Sequence, residues 1–210
     1  MLGVAAWIGL PLAFNWLYPI YTVRYRLTVN AVREGERHSN SSVIQVKVKL
    51  QPNLLANPPW AFGVNGEAVF VDLGGGVHVV GLLSPGPSKG ADAIGMLFKA
   101  FHVPFTPENA KELRYVQGER RLDPADWPAF VKFRDVGDPL SAEPVDPTVG
   151  SNESGANPLI ESVTLTITSD PITQDIQRHL PWLAFHPEPK QAMMFAKLHL
   201  GWNNFIIQQE

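Results

Sequence analysis

Residues 22–31 read Thr-Val-Arg-Tyr-Arg-Leu-Thr-Val-Asn-Ala, and residues 43–50 read Val-Ile-Gln-Val-Lys-Val-Lys-Leu. In the first stretch Val23, Tyr25, Leu27, Val29 and Ala31 alternate with Thr22, Arg24, Arg26, Thr28 and Asn30. In the second, Ile44, Val46, Val48 and Leu50 alternate with Gln45, Lys47 and Lys49. A period of two turns successive side chains to opposite faces, so each stretch predicts a half-buried strand. The polar residues 33–40, with Gly35 among them, lie between the two and predict a long antiparallel hairpin. Its wet face carries Arg24, Arg26, Lys47 and Lys49. Charged side chains ordinarily cover the solvated side of a sheet, and that reading outweighs an anion-binding patch.

The same alternation recurs further along the chain. Residues 67–73 and 77–83 read as a second pair of strands joined by Gly74, Gly75 and Gly76. The three glycines make a turn rather than a phosphate loop, because the lysine and the serine or threonine of that motif are missing and a strand follows. Residues 52–60, with Pro52, Pro58, Pro59 and Trp60, read as a linker. A short buried helix is expected over 93–101. A second is expected after Thr106, which stands as N-cap before Pro107 and Glu108. Phe130, Val131 and Phe133 mark a strand. Residues 138–158 are rich in Asp, Pro, Ser, Asn and Gly and predict a mobile loop. Residues 160–168 are the most β-branched run in the chain and predict a full strand. One or two helical turns are expected over 173–180. The fold class is therefore α+β and β-rich: antiparallel hairpins with a few short helices, preceded by an N-terminal apolar helix. The expected layout is an anchor or signal-like segment over 1–21, a globular domain over 22–185 with a flexible loop at 139–158, and a tail over 186–210.

Composition narrows the functions. A chain of 210 residues can bury a core without disulfides or metals. The formal charge of −3 supplies no positive field for nucleic acid. Cysteine is absent, which removes thiol nucleophiles, disulfides and Cys-ligated metals. Nineteen prolines and seventeen glycines favour turns over long helices and argue against a helical bundle.

Residues 2–21 carry no charged side chain, and twenty helical residues would span roughly 30 Å of hydrocarbon. Trp16, Tyr18 and Tyr21 gather at one end and Arg24 and Arg26 follow, the arrangement expected at a membrane interface. No Lys or Arg precedes the run, which favours an uncleaved anchor over a cleaved signal peptide. Gly3, Gly9, Pro11, Pro19 and Asn15 weigh against a spanning helix, and the competing reading packs this segment inside a soluble cytoplasmic domain. Arginines only on the C-terminal side would put the domain in the cytoplasm by the positive-inside rule.

Several motifs resemble those of a family of short, uncharacterised proteobacterial proteins. They are Gly66-Glu67-Ala68-Val69 with Val71-Asp72-Leu73 and the glycine turn, then Phe130-Val131-Lys132-Phe133-Arg134-Asp135 with Asp138-Pro139. Residues 163–168, Asp170-Pro171-Ile172-Thr173 and Arg178-His179-Leu180-Pro181-Trp182-Leu183 continue the resemblance. Members begin with an anchor-like or signal-like segment. The resemblance thus implies a membrane-anchored domain on the periplasmic side, and it carries over no catalytic residues. The chain departs from the pattern in having no basic residue before the apolar run.

Candidate chemistry is sparse. The six histidines, His38, His78, His102, His179, His186 and His199, stand apart from one another at no metal-ligand spacing, so no metal site and no cofactor is expected. No Gly-x-Ser-x-Gly elbow occurs, and no residue reads as catalytic. Arg134, Asp135 and Asp138 lie where a strand meets a loop, where two carboxylates can bind a cation or do acid–base work, although a turn with a local ion pair explains them as well. Glu67 stands charged between apolar neighbours. The expected function is a non-enzymatic, membrane-tethered envelope module that binds a protein partner or supports an assembly. The alternatives are a hydrolase-like enzyme using Asp135 and Asp138, or a soluble cytoplasmic domain.

Overall fold

A computed structural model describes residues 16–52, 59–85, 92–147, 159–184 and 205–208. The leading hairpin forms as expected: β1 (Ile20–Arg33) pairs antiparallel with β2 (Glu36–Leu50), from Ile20 opposite Lys49 to Arg33 opposite Glu36. The turn is only Glu34-Gly35, both at positive φ, the backbone that a two-residue hairpin of matching twist requires. Residues 36–42, polar throughout, are therefore strand rather than loop. Tyr21 pairs with Val48, so the last two residues of the expected anchor belong to the sheet. Trp16 and Leu17 are helical, and residues 1–15 of the expected N-terminal helix lie outside the described residues. No described helix is long and apolar enough to cross a membrane.

Four more strands complete the first sheet: β3 (Trp60–Glu67), β6 (Glu119–Arg121), β9 (Leu159–Ile167) and β10 (Ile206–Gln208), in the order β10-β3-β2-β1-β9-β6. The second sheet holds β4 (Val69–Asp72), β5 (His78–Pro85), β7 (Pro128–Phe133) and β8 (Ala142–Val145), in the order β4-β5-β7-β8. Glu67 ends β3 and Ala68 turns the corner, so the strand expected over 67–73 forms over Val69–Asp72, where it pairs with β5 across the glycine turn as expected. Trp60 opens a strand that the proline-rich sequence before it conceals. β8 lies inside the stretch expected to be a mobile loop, and it is held by pairing with β7.

The inner face of the first sheet, with Tyr25, Leu27, Val29, Ile44, Val46, Val163 and Leu165, is fully buried. The second sheet covers one half of it: Gly81 lies against Val29 and Phe130 so closely that an added Cβ would come within 3.3 Å of both. Two short helices, α1 (Ala93–Ala100) and α2 (Pro107–Leu113), cover the half near the start of β1. Asp92 caps α1 by accepting from Gly95 N at 2.6 Å, and Thr106 caps α2 ahead of Pro107, as its sequence predicts. The outer face of the second sheet is covered in turn by α3 (Ile176–His179), the 3₁₀ turn Pro181–Ala184 and Phe205, a second apolar cluster.

Candidate functional site

β9 ends beside β1, and residues 168–175 then cross the outer face of β1 to reach β2. Two arginines hold the crossing. Arg24 donates to the carbonyls of Ser169 and Asp170 and to Gln45 Oε1. Arg26 pairs with the Asp170 carboxylate at 2.5 Å and donates to Ser41. The Thr168 hydroxyl and then Arg26 keep the Asp170 pKa below its ordinary value. Arg24 and Arg26 thus clamp a chain segment on the sheet. Tyr21 lies under the Arg114 guanidinium, and Trp16 stands exposed.

Where the crossing meets β2, the Val43 backbone bonds Thr173 on both sides: Val43 N donates to Thr173 Oγ1 at 2.8 Å and Thr173 N donates to Val43 O at 3.3 Å. β3 has by then parted from β2, since their pairing stops at Gln45 opposite Asn65. At Gly66 β3 passes close against Ile44, which only a glycine allows: an added Cβ would sit 2.9 Å from Ile44 Cγ1 and 3.1 Å from its Cα. The gap is a cleft of about 480 Å³ lined by Lys47, Asn65, Glu67, Thr173, Gln174 and Gln177 with Ile172 and Ile206 at its side. A smaller lobe of about 190 Å³ shares Glu67 and Thr173 and reaches Asn40, Ser42, Arg178 and His179. The Ser42 hydroxyl, on a residue 1% exposed, has no hydrogen-bond partner among the described residues.

Glu67 sits between the lobes and is 5% exposed. Its Oε1 accepts from Asp175 N at 2.7 Å, and the Ile176 backbone N–H also donates to the carboxyl. Burial raises its pKa above the ordinary 4.5 despite those two bonds; the nearby Asp175 adds to the rise and His179 opposes it. Across the second sheet, His179 stacks on Phe70 at 4.4 Å and Phe70 on His78 at 5.0 Å. Phe133 N donates to His78 Nε2 at 3.2 Å, so that nitrogen is unprotonated. Burial lowers the His78 pKa below 6.5, while a bond with the Gly76 backbone and the charge of Asp72 oppose it.

These shifts have opposite signs in stability. Folded Glu67 holds its proton more tightly than the unfolded chain does, so its contribution is full below about pH 4.5 and is lost as pH rises through the raised pKa. Folded His78 holds its proton less tightly, so its contribution is full above pH 6.5 and is lost as pH falls through the lowered pKa. In wild type the two contributions therefore oppose each other as pH falls from 6.5 toward 4.5. In His78→Gln, which keeps an acceptor for Phe133 N, the urea midpoint is expected to fall less than in wild type over that window, while the pH 7 stability changes by about 1 kcal/mol. Glu67→Gln removes the opposite slope above pH 4.5. Parallel curves for the three proteins would rule the assignment out.

The other sequence candidates lie away from this cleft. Asp135 Oδ1 accepts from Gly137 N at 2.8 Å, and Asp138 Oδ1 from Leu140 N at 2.9 Å. The Ser141 hydroxyl ties the carbonyls of both residues together. Arg134 pairs with Glu143 across the β7–β8 ladder at 2.9 Å. Each carboxylate thus serves its own turn. Of the four candidates, only Glu67 lines the cleft, and Lys47, Asn65, Ser42, Thr173, Gln174 and Gln177 were not singled out as site residues. They come from two strands and a crossing segment whose meeting no local pattern announces. No cluster of three metal-ligating side chains occurs among the described residues. Comparison of the chain with family models, curated proteins and solved structures finds no match.

Proposed function

We propose that this chain is a non-enzymatic binding module of the bacterial envelope, tethered to the membrane through the uncharged residues that precede β1, with its domain on the periplasmic side, and that it holds a protein partner at the Glu67 cleft. The observation that carries the binding role is the two-lobed cleft itself. Amide groups of Asn65, Gln174 and Gln177, which both donate and accept, converge there with the Lys47 ammonium. A protein surface or extended peptide offers matching backbone and side-chain groups, and Ile172, Ile206 and Ile207 supply apolar contact. The Glu67 carboxyl, occupied by two backbone N–H groups, serves as a fixed wall of the cleft. The tether is supported by the uncharged run over 2–21, which feeds directly into β1, and the periplasmic side by the family resemblance.

A full-length fusion with a C-terminal reporter active only outside the cytoplasm tests the location. Activity, with the protein pelleting with membranes, is expected. An inactive fusion that stays in the supernatant after ultracentrifugation overturns the reading. The cleft is tested by a photo-crosslinker at Gln177 in the same full-length protein. A single adduct is expected, abolished by Lys47→Glu, and an adduct indifferent to Lys47 overturns the assignment of the cleft.

A further inference from the structure

We infer that the end of the domain where β1 begins lies directly on the lipid bilayer, with Phe105 and Tyr115 seated among the headgroups beside Trp16, Leu17 and Ile20. This rests on the tethered reading above and extends it from the leading segment to the folded body.

The large apolar side chains that stand exposed among the described residues are these five, with Trp16 at 82% and Tyr115 at 71%. They come from three separate places in the sequence, yet the fold brings them to one end. Tyr21, Val48 and Phe62 form one row across β1, β2 and β3. Phe105 stacks on Phe62 at 3.9 Å. The Arg114 guanidinium lies between Tyr21 and Tyr115, 5.5 Å from one ring and 5.3 Å from the other. Tyr115 is thereby fixed beside the start of β1. Trp16 and Tyr115, each an apolar ring with one polar atom, are side chains of the kind that settle at the boundary of lipid and water, and Phe105 adds a wholly apolar ring beside them.

Geometry selects lipid over other occupants. The uncharged run extends over 2–21, and Trp16 stands four residues before Ile20, the first residue of β1. Four extended residues reach at most about 14 Å. A bilayer that holds the run therefore holds this end of the sheet at headgroup level, with no slack for a spacer. The opposite end, some 14 residues of β1 or roughly 45 Å away, carries Arg33, Glu34, Glu36 and Arg37 instead. Near the apolar end, Lys49 stands opposite Ile20, and α2 with its C-cap brings Lys111 and Arg114 together with Glu108 and Glu112. The rings therefore supply the attraction, and seating is expected to depend only weakly on the content of anionic lipid.

Since the chain has no cysteine, a single nitroxide can be placed in the full-length protein at Tyr115→Cys or Phe105→Cys, with Glu34→Cys at the far hairpin tip as reference. In vesicles of phosphatidylethanolamine and phosphatidylglycerol, collision with oxygen relative to a water-soluble nickel chelate reads depth. The ratio is expected to be several-fold higher at positions 105 and 115 than at 34. Equal ratios in protein that floats with the vesicles overturn the seating and leave the tether standing. Protein that does not float with vesicles overturns the tether, and the seating with it. Shielding of position 115 that grows with protein concentration in the absence of vesicles assigns the patch to a second copy of the chain and overturns the lipid assignment.

Discussion

Replacing Tyr25 by alanine is expected to cost about 3–5 kcal/mol of folding stability, the scale for truncating a buried aromatic side chain, whereas Tyr25→Phe is expected to cost about 1 kcal/mol. Tyr25 is completely buried on the inner face of β1, and its hydroxyl donates to the Ala93 carbonyl at 2.5 Å, joining the first sheet to the start of α1. Burial, aided by the charge of Asp92, pushes its pKa well above 10, so the hydroxyl remains a donor across the working pH range. Removing the hydroxyl alone leaves Ala93 O with its partner in the helix ladder, which keeps the phenylalanine cost small. Removing the ring opens a cavity where the sheet, α1 and the second sheet meet. Against a total of about 5–15 kcal/mol for a domain, that loss is about a fifth or more. Urea unfolding of both variants measures the two values. Near-equal costs would mean that the hydrogen bond, and not ring packing, holds α1 to the sheet.

Tyr25 was legible as a core residue because alternation alone assigns it a face. The same holds for Val23, Leu27 and Val29, and for Ile44, Val46 and Val48, which the structure buries. Legibility failed wherever the stabilising partner lies far away in sequence. Residues 36–42, Glu-Arg-His-Ser-Asn-Ser-Ser, have no apolar alternation, yet they are strand because the tight Glu34-Gly35 turn brings them back along β1 and Asn40 Nδ2 donates to Phe70 O at 2.8 Å. β3 follows a run of prolines, and its Gly63, Asn65 and Gly66 mask its period. β8, only four residues long, exists because β7 offers it an edge. β10 pairs with β3 from the far end of the chain, where the sequence reads only as a tail.

The site was less legible than the fold for the same reason. Glu67 stands out in sequence as a charge among apolar neighbours, but nothing local reveals that its partners are the backbone groups of Asp175 and Ile176. Arg24 and Arg26, placed by sequence at a membrane interface or on a wet face, do project from the outer face, where they hold residues 169–170 against the sheet. Asp135 and Asp138 were readable as turn formers, and their bonds to Gly137 N and Leu140 N have that form.

Trp182→Ala is expected to cost about 3–5 kcal/mol as well, but to loosen a different part of the molecule. Trp182 packs edge-on to Phe205 with ring centres 5.4 Å apart and tilts against Phe133 at 5.7 Å, and its indole N–H donates to Val136 O at 3.0 Å. It therefore covers the outer face of the second sheet and ties down the turn that holds Asp135 and Asp138. Without it, Phe133, Leu180 and Phe205 lose their common neighbour, while the row from Val23 to Ala31 on the far side of the sheet keeps its packing. Amide exchange is expected to quicken over β7, β8 and α3 and to stay slow over β1 and the adjoining half of β2, the pattern of a sub-global opening. Trp182→Phe, which retains a ring without the donor, is expected to recover most of the loss. The outer apolar cluster is then a unit that can open on its own, and since α3 and its N-cap Asp175 supply the N–H groups that hold Glu67, its opening releases one wall of the cleft. Uniform acceleration over both sheets in Trp182→Ala would instead mean that the two clusters unfold together and that the cleft cannot open without the whole domain.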